Sequence, residues 1–280
     1  DEVQEKVTAI VKKYWSCFRE GGLTIPIVSY EMVIDTGASP PVNCKKLHYG
    51  VHESPIMQKT IDALRKTGFI IEDKISPWNS NIVLAPKPHL EHITEIDDFI
   101  WRFCISYVAL NLVTLIISYP IPRCDDAVMN EFGTAKYFIL IDAYSGYHQI
   151  AMATCSIDKT AFSGPGGRKY KWKVLTFGLR NGPAVFTAMM YDIKEVWDKI
   201  ISEKIDLSRD NGTRIIIDDL FIFAESLENA LFMLEVICDV AQHYCATWKL
   251  KKTHFFANKI EFVGVDVSVQ GNQPASSKAT

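Results

Sequence analysis

The chain has 280 residues, 48 % of them hydrophobic and 22 % charged, enough apolar material for one large or two ordinary domains. Thirty Lys plus Arg against 33 Asp plus Glu leave a net charge of -3, which excludes a global pull toward nucleic acid or anionic membrane and makes any polyanion site a local one. The seven cysteines are odd in number and form no CxxC pair, which argues against a disulfide framework or a zinc module; with no basic-then-apolar leader and no apolar run of about 18 residues, the expectation is a soluble intracellular protein that spans no membrane.

In chain order, "VQEKVTAIVKKYWSCF" repeats its apolar residues at helical spacing until Gly21-Gly22. The segment "EMVIDTGASPP" follows, and its Asp35-Thr36-Gly37-Ala38 is how aspartic proteases present a catalytic carboxylate. That reading needs a second apolar-apolar-Gly element downstream to pack under the catalytic loop, and none is convincing, so Asp35 reads as a turn residue. A helix is expected from about Ser54 to Lys66, capped by Gly68, then a β-prone "FII". The strands "NIVLAP" and "WRFCISYV" form a hairpin whose long tip is the acidic "HLEHITEIDDFI".

"KYFILID" reads as a buried strand ending at Asp142, and "YKWKVLTF" as another after the loop "GPGGRK". Pro183 opens a helix whose apolar positions include Val185, Phe186, Met189, Met190, Ile193, Val196 and Ile200. After Asn211-Gly212, "TRIIIDDLFIFA" reads as a hairpin turning at or beside its two acids; Ser226 starts a helix to about Ala246, and "HFFANKIEFVGVDVSV" supplies short strands. Helices and strands mix without βαβ alternation, so the class is α+β, in two interleaved lobes.

Three Asp-Asp pairs occur. Asp97-Asp98 lies among polar residues and reads as a solvated loop, and Asp125-Asp126 as charge at a helix N-terminus. Asp218-Asp219 alone is flanked by apolar runs on both sides, where burying two acids is costly. A tight turn that favours Asp is one explanation. The other is chemical: neighbouring strand residues point to opposite faces, so a turn at the pair would let both acids approach Asp142, and three such carboxylates repel unless divalent cations offset their charge.

The blocks "WRFCISYVALNLVT", "YPIPRCDD", "YFILIDAYSGYHQI", "DKTAF", "TFGLRNGPAVF", "IIIDDLFIFA", "LKKTHF" and "FVGVDVS" stand in the order found in reverse transcriptases of gypsy-type long-terminal-repeat retrotransposons. From about residue 30 to 268 the chain resembles that family, in which a linker like "VIDTGASPP" commonly precedes the polymerase. The resemblance implies an α+β right-hand polymerase with fingers and palm, the palm an antiparallel sheet backed by helices and the thumb largely absent. It implies an N-terminal helix and linker at 1–44, fingers at 45–118 and 151–180, palm at 119–150 and 181–268, and a tail or truncated thumb at 269–280.

The implied activity is RNA-directed DNA polymerisation, with deoxynucleotides added to a primer 3′-hydroxyl by two-magnesium nucleotidyl transfer, manganese being the substitute ion. Asp142, Asp218 and Asp219 would be the catalytic metal ligands, with no role assigned to the backbone at position 143. Lys252 would protonate the departing pyrophosphate. Tyr147 would exclude ribonucleotides at the sugar 2′ position, Arg102 and Lys87 would take the triphosphate, and Phe177, Gly178 and Pro183 would pack under nucleotide and template base. Phe262, Val263 and Gly264 would hold the primer end. Implied partners are an RNA or DNA template-primer and deoxynucleoside triphosphates, in cytoplasm or a virus-like particle; nothing fixes an oligomeric state.

Plainer readings stand beside these: Tyr147 as a core tyrosine, Arg102 as an exposed strand arginine, and the basic runs "RKYKWK" and "KLKK" as a solvated face instead of a phosphate contact. The chain departs from the family pattern at Ile216, where an aromatic is usual, and at Ser106 and Val108, where an acid and a base are expected. These departures carry the alternative of a catalytically decayed copy that acts only as a nucleic-acid or protein binding module.

Overall fold

The computed structural model describes residues 2–19, 30–86, 101–120, 134–144, 146–216, 218–256, 259–262, 265–268 and 271–274. The chain divides into two compact units, one of Asp1–Val28, Tyr119–Gly146 and Ala184–Thr280, the other of Ser29–Ser118 and Tyr147–Pro183.

The first unit is built on an antiparallel sheet with strand order Gly212–Ile216, Asp219–Ala224, Tyr137–Asp142, His254–Phe255. The apolar runs "YFILI" and "LFIFA" fall on its two central strands, whose residues Leu220 to Ala224 are fully buried, as strands covered on both faces require. On one face Phe138, Leu140, Ile216, Phe221 and Phe223 pack with Ile260 and Val267 of the Lys259–Phe262 and Val265–Ser268 hairpin. Phe138 stacks on Phe221 with ring centroids 5.8 Å apart. The residues of opposite parity, Ile139, Ile141, Leu220 and Ile222, are equally buried, and the Leu227–Tyr244 helix packs on their strands with Ala230, Met233, Leu234 and Ile237 fully enclosed. Ser226 caps this helix, its hydroxyl accepting from the Asn229 N–H at 3.1 Å. The Gly182–Ser202 helix is tied to the sheet by Trp197 Nε1, which donates to Thr213 Oγ1 at 3.3 Å.

The N-terminal helix spans Glu2–Lys13, shorter than its periodicity suggests. Trp15–Cys17 tighten into a 3-10 turn, and Phe18–Arg19 form a parallel pair with Trp248–Lys249. A strand partner more than two hundred residues away thus overrides the local helical pattern.

The second unit carries a five-stranded sheet in the order Ile70–Glu72, Lys169–Trp172, Phe162–Ser163, Ser80–Pro86, Trp101–Ser106. Its Glu53–Lys66 helix ends as expected: Gly68 takes a φ of 72°, with Gly68 N–H donating to Arg65 O at 3.0 Å and Phe69 N–H to Leu64 O at 3.1 Å. The hairpin of Ser80–Pro86 with Trp101–Ser106 forms, and its acidic tip lies outside the described residues. Two expectations change. "WRFCISYV" stops being strand at Ser106, because Tyr107 is buried with its hydroxyl donating to Thr160 O at 2.9 Å and Val108–Val113 turn helical. "YKWKVLTF" is strand only over Lys169–Trp172; Val174 makes a single bridge to Ala151.

Candidate active site

Asp142 ends its strand and Asp219 begins the next, and the two are paired directly across the ladder. That register puts both carboxylates on the face shared by Leu140 and Phe221, with Cβ atoms about 5 Å apart for residues so opposed. Asp218 lies in the two-residue turn between Ile216 and Asp219, and its carbonyl accepts from Ala143 N–H at 2.9 Å. The turn at the acid pair is therefore present, and it frees Asp218 from the alternation that would send it to the far face.

The electrostatics follow from burial. Desolvation, then the charge of Asp142, raises the Asp218 carboxyl above the usual carboxylate range. The same causes, with Asp218 added, push Asp219 to about 6, while Lys252 pulls the other way. Lys252 Nζ sits 3.1 Å from Asp142 Oδ2, brought there by the Leu250–Lys252 turn that leads into the edge strand at His254.

Among the described residues no three acidic, His or Cys side chains are gathered closely enough to form a ready-made cation cage. Asp218 Oδ1 is nevertheless buried without a hydrogen-bond partner, an unusual state for a carboxylate oxygen. That orphaned oxygen of Asp218, with the carboxylates of Asp219 and Asp142 paired across the ladder, supplies carboxylate donors of the kind hard divalent cations take. The residues fit such an ion, and Lys252 is the countercharge that partly balances them.

One residue of this cluster carries no signal in the sequence reading. Gly146 lies so close to its neighbours that a Cβ there would stand 2.9 Å from the Phe186 ring and 3.3 Å from Asp218 Oδ1. Its spacing after Asp142 is visible in the sequence, but what crowds it is not. Ile216 stands directly across from Asp219 and is buried in the core cluster.

In the second unit Tyr147 and Phe177 come together, ring centroids 4.9 Å apart, with Phe177 otherwise exposed. Gly178 has a φ of 90°, and a Cβ on it would stand 3.2 Å from Ile105 O, so the position admits only glycine without strain. The loop through these residues is held by side-chain amides. Asn111 Nδ2 donates to Gly178 O at 2.7 Å, and Asn111 Oδ1 accepts from Arg180 N–H at 2.9 Å. Asn181, buried, donates to Leu115 O at 2.7 Å and accepts from Ile117 N–H at 3.2 Å. These bonds give "ALNLVTLI" and "FGLRNGP" a common physical reason that neither shows alone. Pro183 is exposed in the first turn of the Gly182–Ser202 helix, and Arg102 is exposed on the strand Trp101–Ser106, opposite Ala85.

Several expectations fall outside the described residues: Lys87, Val263, Gly264, the side chain of Phe262, and the pairs Asp97-Asp98 and Asp125-Asp126. Others change. In "RKYKWK", Lys169 and Lys171 are neither a solvated face nor available to phosphate, because both pair with the buried Asp73, at 3.4 and 3.6 Å, and Lys171 also with Asp158 at 2.6 Å. Asp35 is an exposed turn residue whose carboxylate accepts from Gly37 N–H at 2.8 Å.

The chain belongs to the reverse transcriptase (RNA-dependent DNA polymerase) family, whose model matches residues 85–267. It is 30 % identical over 273 residues to the retrovirus-related Pol polyprotein from transposon opus of Drosophila melanogaster, covering 97 % of this chain and 25 % of that polyprotein. To the Pol polyprotein from transposon gypsy of the same fly it is 29 % identical over 225 residues, covering 80 % and 20 %. The resemblance to reverse transcriptases of long-terminal-repeat retrotransposons is borne out, and the chain spans about a quarter of the length of the curated relatives it matches.

Among solved structures, a foamy viral protease-reverse transcriptase in complex with an RNA/DNA hybrid superposes with a TM-score of 0.82 at 22 % identity, covering 99 % of this chain and 34 % of that one. That likeness concerns the fold, and it bears out the α+β polymerase class with an antiparallel palm sheet backed by helices.

Proposed function

We propose that the chain is the RNA-directed DNA polymerase portion of a retrotransposon polyprotein, adding deoxynucleotides to a primer 3′-hydroxyl on an RNA or DNA template. The observation that carries the reading is the register: Asp142 faces Asp219 across the ladder while Asp218 occupies the turn beside them. In this reading the unit with the three acids is the palm and the unit with the five-stranded sheet the fingers. The bound nucleic acid of the solved foamy viral relatives, an RNA/DNA hybrid in one and double-stranded DNA in another, supports a template-primer as partner.

Asp142, Asp218 and Asp219 are the residues that would hold magnesium, or manganese in its place, and the ions supply Lewis-acid stabilisation of an in-line phosphoryl displacement when bound. Lys252, beside Asp142, gives a proton to the oxygen of the departing pyrophosphate. Tyr147, backed by Phe177, stands against the sugar 2′ position and excludes a hydroxyl there by volume. Arg102 presents a planar fork to the triphosphate, since guanidinium geometry matches phosphate oxygens, and Lys87 shares that task. Gly178 and Pro183 shape the loop under the base pair, and Phe262, Val263 and Gly264 hold the primer end.

The setting is intracellular, in cytoplasm or a virus-like particle; among the described residues no helix is long and apolar enough to cross a membrane.

The test is extension of a labelled DNA primer on an RNA template with deoxynucleotides and magnesium or manganese, against an Asp218→Asn control. Metal-dependent extension that the control loses by at least about 100-fold is the expected outcome, the scale on which a removed transition-state stabiliser registers. A wild-type chain silent with both metals overturns the reading.

A further inference from the structure

His148 has no part in the chemistry just described, yet its ring packs against three aromatic rings of its unit. Its ring stacks on Trp172 at 5.4 Å and 21°, lies 5.1 Å from the Phe69 ring, and meets the Phe177 ring edge-on at 6.0 Å and 72°. Its Nδ1 is 2.9 Å from Leu175 O. A carbonyl only accepts, so Nδ1 carries the proton in this contact.

The backbone around it makes that bond consequential. Leu175 N–H already donates to Ile150 O at 2.8 Å, and Ile150 N–H donates to Tyr147 O at 3.1 Å. Both peptide groups of Leu175 are thus tied to the turn that carries Tyr147, one through the main chain and the other through His148. Two residues beyond Leu175 comes Phe177, whose ring meets Tyr147 at 4.9 Å. The exposed Phe177 has few packing restraints of its own, so its angle to Tyr147 depends on how Leu175 is anchored and on the edge of His148 beneath it.

We infer that His148 is the positioning residue of the sugar-sensing shelf, fixing through its Nδ1–H bond to Leu175 and its ring edge the angle at which Phe177 supports Tyr147, and so the discrimination between deoxy- and ribonucleotides. The inference rests on the polymerase reading, in which Tyr147 faces the sugar. Burial lowers the imidazole's affinity for a second proton, which keeps the ring neutral and the single donor aimed at Leu175. An aliphatic side chain would fill the same space without a donor. Phenylalanine would keep the stack and lose only the bond.

The experiment compares kcat/KM for a ribonucleoside triphosphate with that for its deoxy counterpart in wild type, His148→Phe and His148→Asn, using the full chain and an RNA-templated DNA primer. The expected result is a ribo-to-deoxy ratio that rises about three- to tenfold in His148→Phe, the worth of one hydrogen bond, and moves back toward wild type in His148→Asn, which restores a donor. A residue that merely stabilised the unit would lower both rates together and leave the ratio unchanged. A ratio within twofold of wild type in His148→Phe, or one raised equally by the Asn variant, overturns the inference while leaving the polymerase reading intact. His148→Leu takes the place of the Phe variant if that one does not fold. A wild-type chain that extends no primer overturns both, so the two failures are distinguishable.

Discussion

The acid-bearing hairpin and the Phe177 loop solve the same problem, holding functional groups still, by different means. Asp142 and Asp219 are held by strand register, which belongs to the backbone and survives most side-chain changes. The loop from Phe177 to Pro183 has no strand partner among the described residues, and its shape depends on Asn111 of a neighbouring segment bonding to the loop backbone at Gly178 and Arg180, and on Asn181 bonding back to that segment. One region is therefore robust to mutation except where atoms already touch, whereas the other is vulnerable at each amide.

The strongest way to break the first region is to strike where it is crowded. Gly146→Val should destabilise the protein by about 3 kcal/mol and abolish extension, because the added atoms overlap the Phe186 ring and approach Asp218. Urea midpoints together with the primer assay check it, and a fully stable, active variant would show that the acid cluster yields where the packing says it cannot.

For the second region, Asn181→Ala should cost about 2 kcal/mol, since it leaves the Leu115 carbonyl and the Ile117 N–H without their partner. Its signature in kinetics is a raised KM for the deoxynucleotide with metal dependence unaltered, measured at saturating template-primer. Unchanged KM would mean the loop is held by packing instead.

The smallest effect concerns charge within the register-held region. Asp219 ionises at about 6 in the folded chain and near its ordinary value when unfolded, so the folded state binds the proton more tightly. The stability this contributes is complete below pH 4 and is lost as pH rises through about 6. Without divalent cation, Asp219→Asn should therefore raise the melting temperature at pH 8 by about 2–4 °C, an effect of about 1 kcal/mol after solvent screening, and the gain should fade as the pH is lowered toward 4. A gain that grows on acidification would contradict the sign.

Much of the sheet was legible because its signals are local. "KYFILID" and "IIIDDLFIFA" are short apolar runs that stop at acids, and a buried acid pair is conspicuous in any sequence. Gly68 and Ser226 announce helix ends through backbone geometry and capping chemistry alone. What stayed hidden depends on partners distant in the chain. Lys169 and Lys171 look like a basic face until Asp73 is placed among them. The strand at Phe18 needs Trp248, Gly146 needs Phe186, and the importance of Asn111 and His148 lies wholly in what they bond to across the fold.

The unit carrying the acids is assembled from three separated stretches of chain, and that arrangement sets an order of events during synthesis. Asp142 leaves the ribosome 110 residues ahead of Lys252, and the parallel pair that fixes Phe18 waits for Trp248. At typical elongation rates the acid strand spends roughly 5 to 20 seconds without its cationic neighbour. Nascent chains interrupted in that interval would carry a half-built sheet with an open edge, a substrate for chaperones or proteases, so the timing of translation is itself part of how this site comes into being.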